Sequence, residues 1–447
     1  MLKRCGATNV AILFLSVLTT LVLSTSAWAE DFQVNVSSSK GYALAGVKVY
    51  AFAESGSYTG YNATADSNGI AVFNKDDFAG GGYTFRVDYF NKQFWSDAVI
   101  IPDDSAVSVT ISEGDVQVTV TNSSSPLSGL KVYLYNSQGA YLNKNSTTDA
   151  EGQVTFIVPV DMQVKFRADN LGYQFWSDVY TVSALNLTEA SLEIPYQQVT
   201  VTVNGMFQGT PTPLEGISVY LFTAAGAYQG QYQTTNLSGQ AEFNLPEGAY
   251  KVRADFMNQQ FWSDEFTAID TTVDIPLADA LVTVTGNGLP IEGVTVYVFT
   301  QSGAYLGING VTDSDGQKTF RLAAGDYKFR SDYQGSQYWS VEETLIADLV
   351  NAVDISTGGG AFSFSVIKGA DAPLGGVNCY VFTEAGSYLG ITSTTDIDGN
   401  VVFNLADGRY KYRVDYLGYE FWSDVYEVPT TLSDTLLIDR DIVNSCV

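Results

Sequence analysis

Along most of the chain, apolar and polar residues alternate in short runs. Val116-Gln-Val-Thr-Val120 and Val199-Thr-Val-Thr-Val203 are two of them. A period of two puts successive side chains on opposite faces, so each run reads as a β-strand with one buried side. Gly- and Asp-containing turns break the runs every roughly 8–12 positions, the rhythm of a β-sandwich. Continuous helical periodicity is missing, and the predicted class is all-β.

The pattern itself repeats. Gln93-Phe94-Trp95-Ser96-Asp97 returns at Gln174–Asp178 and Gln260–Asp264, and with changes at Gln337–Val341 and Glu420–Asp424. Around it each copy keeps one order. An alternating strand opens it, then a turn leads to Val-x-Val-Tyr-x-Phe, as in Gly293–Phe299. An Asp-x-x-Gly turn (Asn236-Leu-Ser-Gly239 in the third copy), a strand ending in Phe, and Tyr-x-Phe-Arg-x-Asp-Tyr or a variant of it follow. Self-similarity at a domain-sized period marks tandem units. The reading is five Greek-key, transthyretin- or immunoglobulin-like sandwiches in an elongated string. Their spans are 30–114, 115–196, 197–279, 280–357 and 358–447, after a signal peptide at 1–29. Joints look short, and only Thr357-Gly-Gly-Gly360 reads as loose.

Periodicity also assigns faces. Tyr410, Tyr412, Val414 and Tyr416 fall on one side of their strand, the expected core side. Lys411, Arg413 and Asp415 fall on the other. In Val294–Phe299 both sides are apolar: Val294, Val296 and Val298 point one way, Tyr297 and Phe299 the other. Such a face needs a cover or a purpose. The expected cover is the Phe-Trp-Ser-Asp segment crossing it. The alternative is an exposed platform for sugar rings, built from Trp95, Trp176, Trp262, Trp339 and Trp422 with Tyr297 and Tyr380. Arg413 and Asp415 would edge it. Arg-x-Asp, with the Asp that ends Phe-Trp-Ser-Asp, reads as an ion-pair network.

Composition narrows the function. Lys3, Arg4, an apolar run from Val10 to Leu23 and the small residues of Ala27-Trp28-Ala29 form an export signal, with Glu30 the expected mature start. The apolar run is short of the roughly 20 residues that span a bilayer, so no membrane insertion is expected once the signal is removed. Loss of Lys3 and Arg4 takes the formal charge from −27 to −29. That charge repels nucleic acid. Histidine is absent, which removes the commonest general base and metal ligand. Cys379 stands where other repeats have Val49, Val132, Val219 and Val296, and reads as a core residue. Cys446, in the tail, reads as free or as a cross-link to another chain, with a Cys379–Cys446 disulfide the less favoured alternative.

Leu/Pro-x-Gly-Val-x-Val, Thr-Thr-Asp-x-x-Gly-x-x-x-Phe and Gly-x-Tyr-Lys-x-Arg occur in this order. Gly376–Tyr380, Thr394–Phe403 and Gly408–Arg413 show them best. The set resembles carboxypeptidase-regulatory-like and Cna-B-like repeats. The resemblance implies seven-stranded transthyretin-like sandwiches, found in stalks of bacterial adhesins and as accessory domains of secreted enzymes. Lys48 and Lys131 have no equivalents at Ser218, Thr295 and Asn378, so a Lys–Asn cross-link is not carried over.

Asp313-Ser-Asp315-Gly and Asp396-Ile-Asp398-Gly match the opening of a calcium loop. The twelfth positions are Ala324 and Asp407, so the full pattern fails and turn chemistry accounts for the four aspartates. Calcium remains the alternative, and no other cofactor is expected. The carboxylates recur in equivalent places, whereas a catalytic site is normally unique. The expectation is a non-enzymatic bacterial protein, secreted or at the cell surface. It is a structural or adhesive stalk with protein or polysaccharide partners, open to self-association. The alternatives are a multivalent carbohydrate binder and an accessory region of a secreted enzyme complex.

Overall fold

The computed structural model describes residues 31–439; the expected signal segment at 1–29 and Cys446 lie outside them. Regular structure there is β-strand, apart from a 3-10 turn at Lys75–Asp77. No helix among these residues is long and apolar enough to cross a membrane. The chain divides into two compact units. One holds residues up to Ala168 with Phe175–Glu193, the other Asp169–Gln174 with Ile194 onward.

The first unit opens with eight strands: β1 (Asp31–Ser38), β2 (Lys48–Ala53), β3 (Tyr58–Thr64), β4 (Ile70–Asn74), β5 (Gly81–Tyr89), β6 (Lys92–Trp95), β7 (Val99–Ile101) and β8 (Ala106–Ile111). One sheet has the order β4-β1-β8. The other runs β3-β2-β5-β6, with β7 also on β5. β1 pairs antiparallel with β4 and parallel with β8. Between the sheets lie Phe32, Val34 and Val36 from β1, Val49 and Ala51 from β2, and Phe85 and Val87 from β5. Phe32 stacks on Phe85 at 5.0 Å. Each large apolar side chain so buried stabilises by about 1.5–3 kcal/mol.

The second unit repeats this plan. Tyr196–Phe207 pairs antiparallel with Gln240–Pro246 and parallel with Thr271–Gly286. Facing it is a sheet of Tyr228–Thr234, Ser218–Thr223, Tyr250–Phe256 and Gln259–Trp262. Thr271–Gly286 is 16 residues long. Its first part closes one sandwich. From Leu277 on it opens the next, pairing with Gln317–Ala323 and Val350–Ser356. Position 279/280, the expected boundary, therefore falls inside a strand.

A different joint follows. Ser356 ends one strand and Gly360 starts the next. The segment between them is held down, against the expectation of a loose link. Asp407 N–H donates to the Thr357 carbonyl at 2.9 Å. The Asp407 carboxylate accepts the Gly359 N–H at 2.6 Å. The Gly358 carbonyl accepts the Asn287 N–H at 2.8 Å.

The Thr-Asp-x-x-Gly motif explains itself at this level. Thr395 is buried; its hydroxyl accepts the Val377 N–H at 3.1 Å and donates to the Leu374 carbonyl at 2.7 Å. Thr148, Thr235 and Thr312 make the same two bonds. Asp396 Oδ1 then accepts two backbone N–H groups, from Asp398 at 2.9 Å and Asn400 at 2.8 Å. Gly399 has φ +78°, and a Cβ there would stand 2.6 Å from the Val366 carbonyl oxygen. Only glycine fits that approach.

Candidate functional site

The outer face of the larger sheet carries the most distinctive side chains. Period two sends Tyr50 and Phe52 outward from β2, and Arg86 and Asp88 outward from β5. Register then sets Tyr50 opposite Arg86, and Arg86 opposite Trp95. The Arg86 guanidinium lies 4.9 Å from the Tyr50 ring, 5.0 Å from Phe52 and 6.0 Å from Trp95. Phe52 and Trp95 meet at 4.9 Å. Asp88 neutralises the cation, with Nε to Oδ1 at 2.8 Å.

The same arrangement recurs. Arg330 sits 4.9 Å from Tyr297, 5.1 Å from Phe299 and 5.6 Å from Trp339. Arg413 sits 4.8 Å from Tyr380 and 5.9 Å from Trp422. Its partner Asp415 is 3.0 Å away, and Glu420 adds a second contact at 2.9 Å. Arg253 and Asp255 do likewise beneath Trp262. In the second repeat Arg167 lies over Tyr133 and Tyr135, with Trp176 at 5.9 Å. Each cation–π contact of this kind is worth about 0.5–1 kcal/mol at partly exposed sites.

The structure thus brings each tryptophan together with an Arg and an aromatic pair, and Arg86, Arg253, Arg330 and Arg413 are each ion-paired with the Asp two positions on. The expected cover takes a different form. Phe-Trp-Ser-Asp does not cross the face. It is the edge strand of the same sheet, hairpinned to the Arg strand, and its Trp folds back over Phe52 or the equivalent. The cover is partial: the five indoles are between 42% and 48% exposed. Arg413 and Asp415, both candidates from the sequence, are ion-paired with each other at 3.0 Å.

The Asp that ends the string is not part of this ion pairing. Its backbone carbonyl is what the fold uses. Ser263 Oγ accepts the Val252 N–H at 3.1 Å and donates to the Asp264 carbonyl at 2.7 Å. Ser96, Ser177, Ser340 and Ser423 do the same. Val341 can replace Asp because the clamp asks only for a carbonyl. This serine clamp was missing from the sequence reading. The signal for it was a Ser that never varies beside an Asp that does.

The calcium candidates fall in the turns described above. Asp313 Oδ1 accepts from Asp315 and Gln317 N–H at 3.0 and 2.9 Å. No group of three or more His, Cys, Asp or Glu able to hold a metal ion occurs among the described residues. Cys379 is fully buried, and burial pushes its thiol up to about 12. A recess of about 270 Å³ lies near Gly286, Ile291, Glu292, Thr357 and Ala406. It offers one carboxylate and no nucleophile–base pair.

No family model matches the chain, and no curated protein matches it in sequence. Solved structures with which it shares similarity include the Bacillus anthracis TIE protein. That likeness has 14% identity over 80% of this chain and 71% of that one, with a TM-score of 0.22. Others are the minor pilin GBS52 of Streptococcus agalactiae, at 18% identity, 36% and 94% coverage and TM-score 0.25. BcpA, the major pilin subunit of Bacillus cereus, has 13% identity, 73% and 99% coverage and TM-score 0.18. At such scores the likeness assigns neither family nor role.

Proposed function

We propose that the chain is a secreted or cell-surface structural or adhesive protein, a stalk or multivalent scaffold of five sandwich domains in an elongated string. One observation carries this reading. The same framework of Arg, aromatic rings, Trp and serine clamp recurs from repeat to repeat. Repetition of equivalent groups suits a scaffold or multivalent binding rather than a single reaction centre. The strand Thr271–Gly286, shared by two sandwiches, supports a stiff joint.

Small-angle scattering of residues 30–447 tests it. An extended particle on the order of 100–170 Å long is expected from strand dimensions. A radius of gyration near the ~22 Å of a compact globule of this size would overturn it.

Polysaccharide binding is the second reading, favoured by the half-exposed tryptophans. Pull-down with insoluble glycans, with and without calcium, checks it. Saturable binding lost in a folded Trp262→Ala variant would establish it.

A further inference from the structure

In every repeat the Arg strand turns into the Trp strand through two residues of positive φ. They are Phe90-Asn91, Leu171-Gly172, Met257-Asn258, Gln334-Gly335 and Leu417-Gly418. Asn and Gly suit the second place of such a tight hairpin. The first place always holds a larger side chain, at φ between 46° and 50°. A left-handed backbone there is unfavourable for an L residue, so a compensating contact is expected.

Three hairpins show that contact, all within the second unit. Leu171 and Tyr173 pack against the core that contains Tyr250. Ala249 N–H donates to the Tyr173 hydroxyl at 2.9 Å, and the two rings, Tyr173 and Tyr250, are 5.3 Å apart. Met257 packs on the following core, its Sδ 3.5 Å from Ala323 N. Gln334 Oε1 accepts the Ala406 N–H at 2.8 Å. The receiving turns are alike. Each ends in a Tyr whose hydroxyl reaches back to a carbonyl four residues earlier: Tyr250 to Pro246 at 3.0 Å, Tyr327 to Ala323 at 2.8 Å, Tyr410 to Ala406 at 3.0 Å.

Leu417-Gly418-Tyr419 is the same knob as Leu171-Gly172-Tyr173, and both continue x-Phe-Trp-Ser-Asp-Val-Tyr. Yet Leu417 is 62% exposed. A Cβ on Gly172 would meet Thr223 at 2.7 Å, whereas one on Gly418 would meet nothing within 4 Å. The first repeat differs at the receiving end. Its turn from Phe73 to Tyr83 is three residues longer than that from Phe243 to Tyr250. The insertion lies where Lys75–Asp77 forms its 3-10 turn. Phe78 then stands edge-on to Tyr83 at 4.9 Å, as Tyr173 stands to Tyr250. Tyr83 keeps its bond back, to the Ala79 carbonyl at 2.6 Å.

We propose that the Leu417 hairpin is a docking knob for a second polypeptide, a β-sandwich whose receiving turn has the Gly-small-Tyr form of Gly248-Ala249-Tyr250. The Lys75–Phe78 insertion plugs the matching turn of the first repeat, so copies of this chain do not thread onto one another. A knob and an open receiver on one molecule would make a non-closing, filament-forming contact. The plug removes the receiver. This inference rests on the scaffold reading and names the kind of partner it takes.

The chain supplies its own probe. Replacing Asn74–Gly82 by the Asn244–Ala249 sequence opens a receiving turn on the first repeat. In sedimentation velocity the wild-type chain stays monomeric, and the grafted chain associates with rising concentration. Adding Leu417→Asp weakens that association about tenfold or more, as loss of a buried apolar anchor does. Phe78→Ala alone, which keeps the loop length, gives weaker association through the same knob and serves if the graft does not fold by circular dichroism. A folded variant of either kind that stays monomeric would overturn the proposal, as would association indifferent to Leu417→Asp. Self-association of the wild type would overturn the plug. None of these outcomes bears on particle length, so the scaffold reading stands or falls separately.

Discussion

Two joints of the second unit solve one problem differently. At Leu277–Asp279 the backbone passes from sandwich to sandwich as a single strand, and ladder hydrogen bonds continue on both sides of the crossing. Asp279 adds a two-pronged pair with Arg321, at 2.8 and 2.9 Å, and Arg321 lies over Phe207 at 4.0 Å. At Thr357–Gly360 the strand stops, and the side chains of Asp407 and Ser356 tie the loop. Continuity spreads the constraint over many backbone bonds. The glycine joint concentrates it in a few. The difference teaches that a glycine run is no measure of looseness when its backbone groups find partners, as the Gly358 and Gly359 N–H groups and the Thr357 and Gly358 carbonyls do here.

Mutations at the two joints separate these modes. Ala278→Pro removes a ladder donor in a buried strand and should have the largest effect, about 3 kcal/mol or more, read as a fall in melting temperature. Gly359→Ala comes next. Its φ is +103°, and the new Cβ would stand 2.1 Å from the Leu405 carbonyl oxygen. A loss of about 2–3 kcal/mol is expected from strain and clash. Asp407→Ala should lose about 1–2 kcal/mol by leaving the Gly359 N–H without its acceptor. A broad-specificity protease should then cut near 357–360. Asp279→Ala, at the continuous joint, should leave its backbone uncut, since the ladder remains. Equal cleavage at both sites would mean the joints do not differ as described.

The smallest effect is expected with alkali. Burial raises Tyr327, beside the continuous joint, to about 12, and raises Tyr410, near Asp407, as well. A pKa raised in the folded state adds stability that is complete below the unfolded value, about 10. That stability drains away as pH climbs from there through the folded value. Melting temperature against pH, followed with tyrosinate absorbance, should therefore be unaffected by these groups below pH ~10 and fall above it.

The core side of the strands was legible because period two needs no partner to be read. Tyr410, Tyr412 and Val414 are buried as their spacing implies, and Cys379 takes a valine's place in a core. The Arg-x-Asp pair was legible for the same reason: two positions along a strand are neighbours on one face. What stayed hidden depended on the register between strands and on contacts far along the chain. Trp262 sits beside Arg253 because the Met257-Asn258 turn fixes that pairing. The Ser263 clamp reaches Val252 through it. Asp407 is 48 residues from the glycine it holds, and no local pattern points from one to the other.

The parallel pairing of first and last strands has a mechanical consequence. Val34 lies beside Val107, Leu281 beside Ala352, and Val366 beside Leu436. The chain enters such a sandwich at the start of one strand and leaves at the end of its neighbour. Tension applied to the two ends slides the neighbours past each other, so the ladder is loaded in shear and its bonds must yield together instead of peeling in turn. How long a unit holds under load is then set by the rate of that one collective rupture, not by its equilibrium stability.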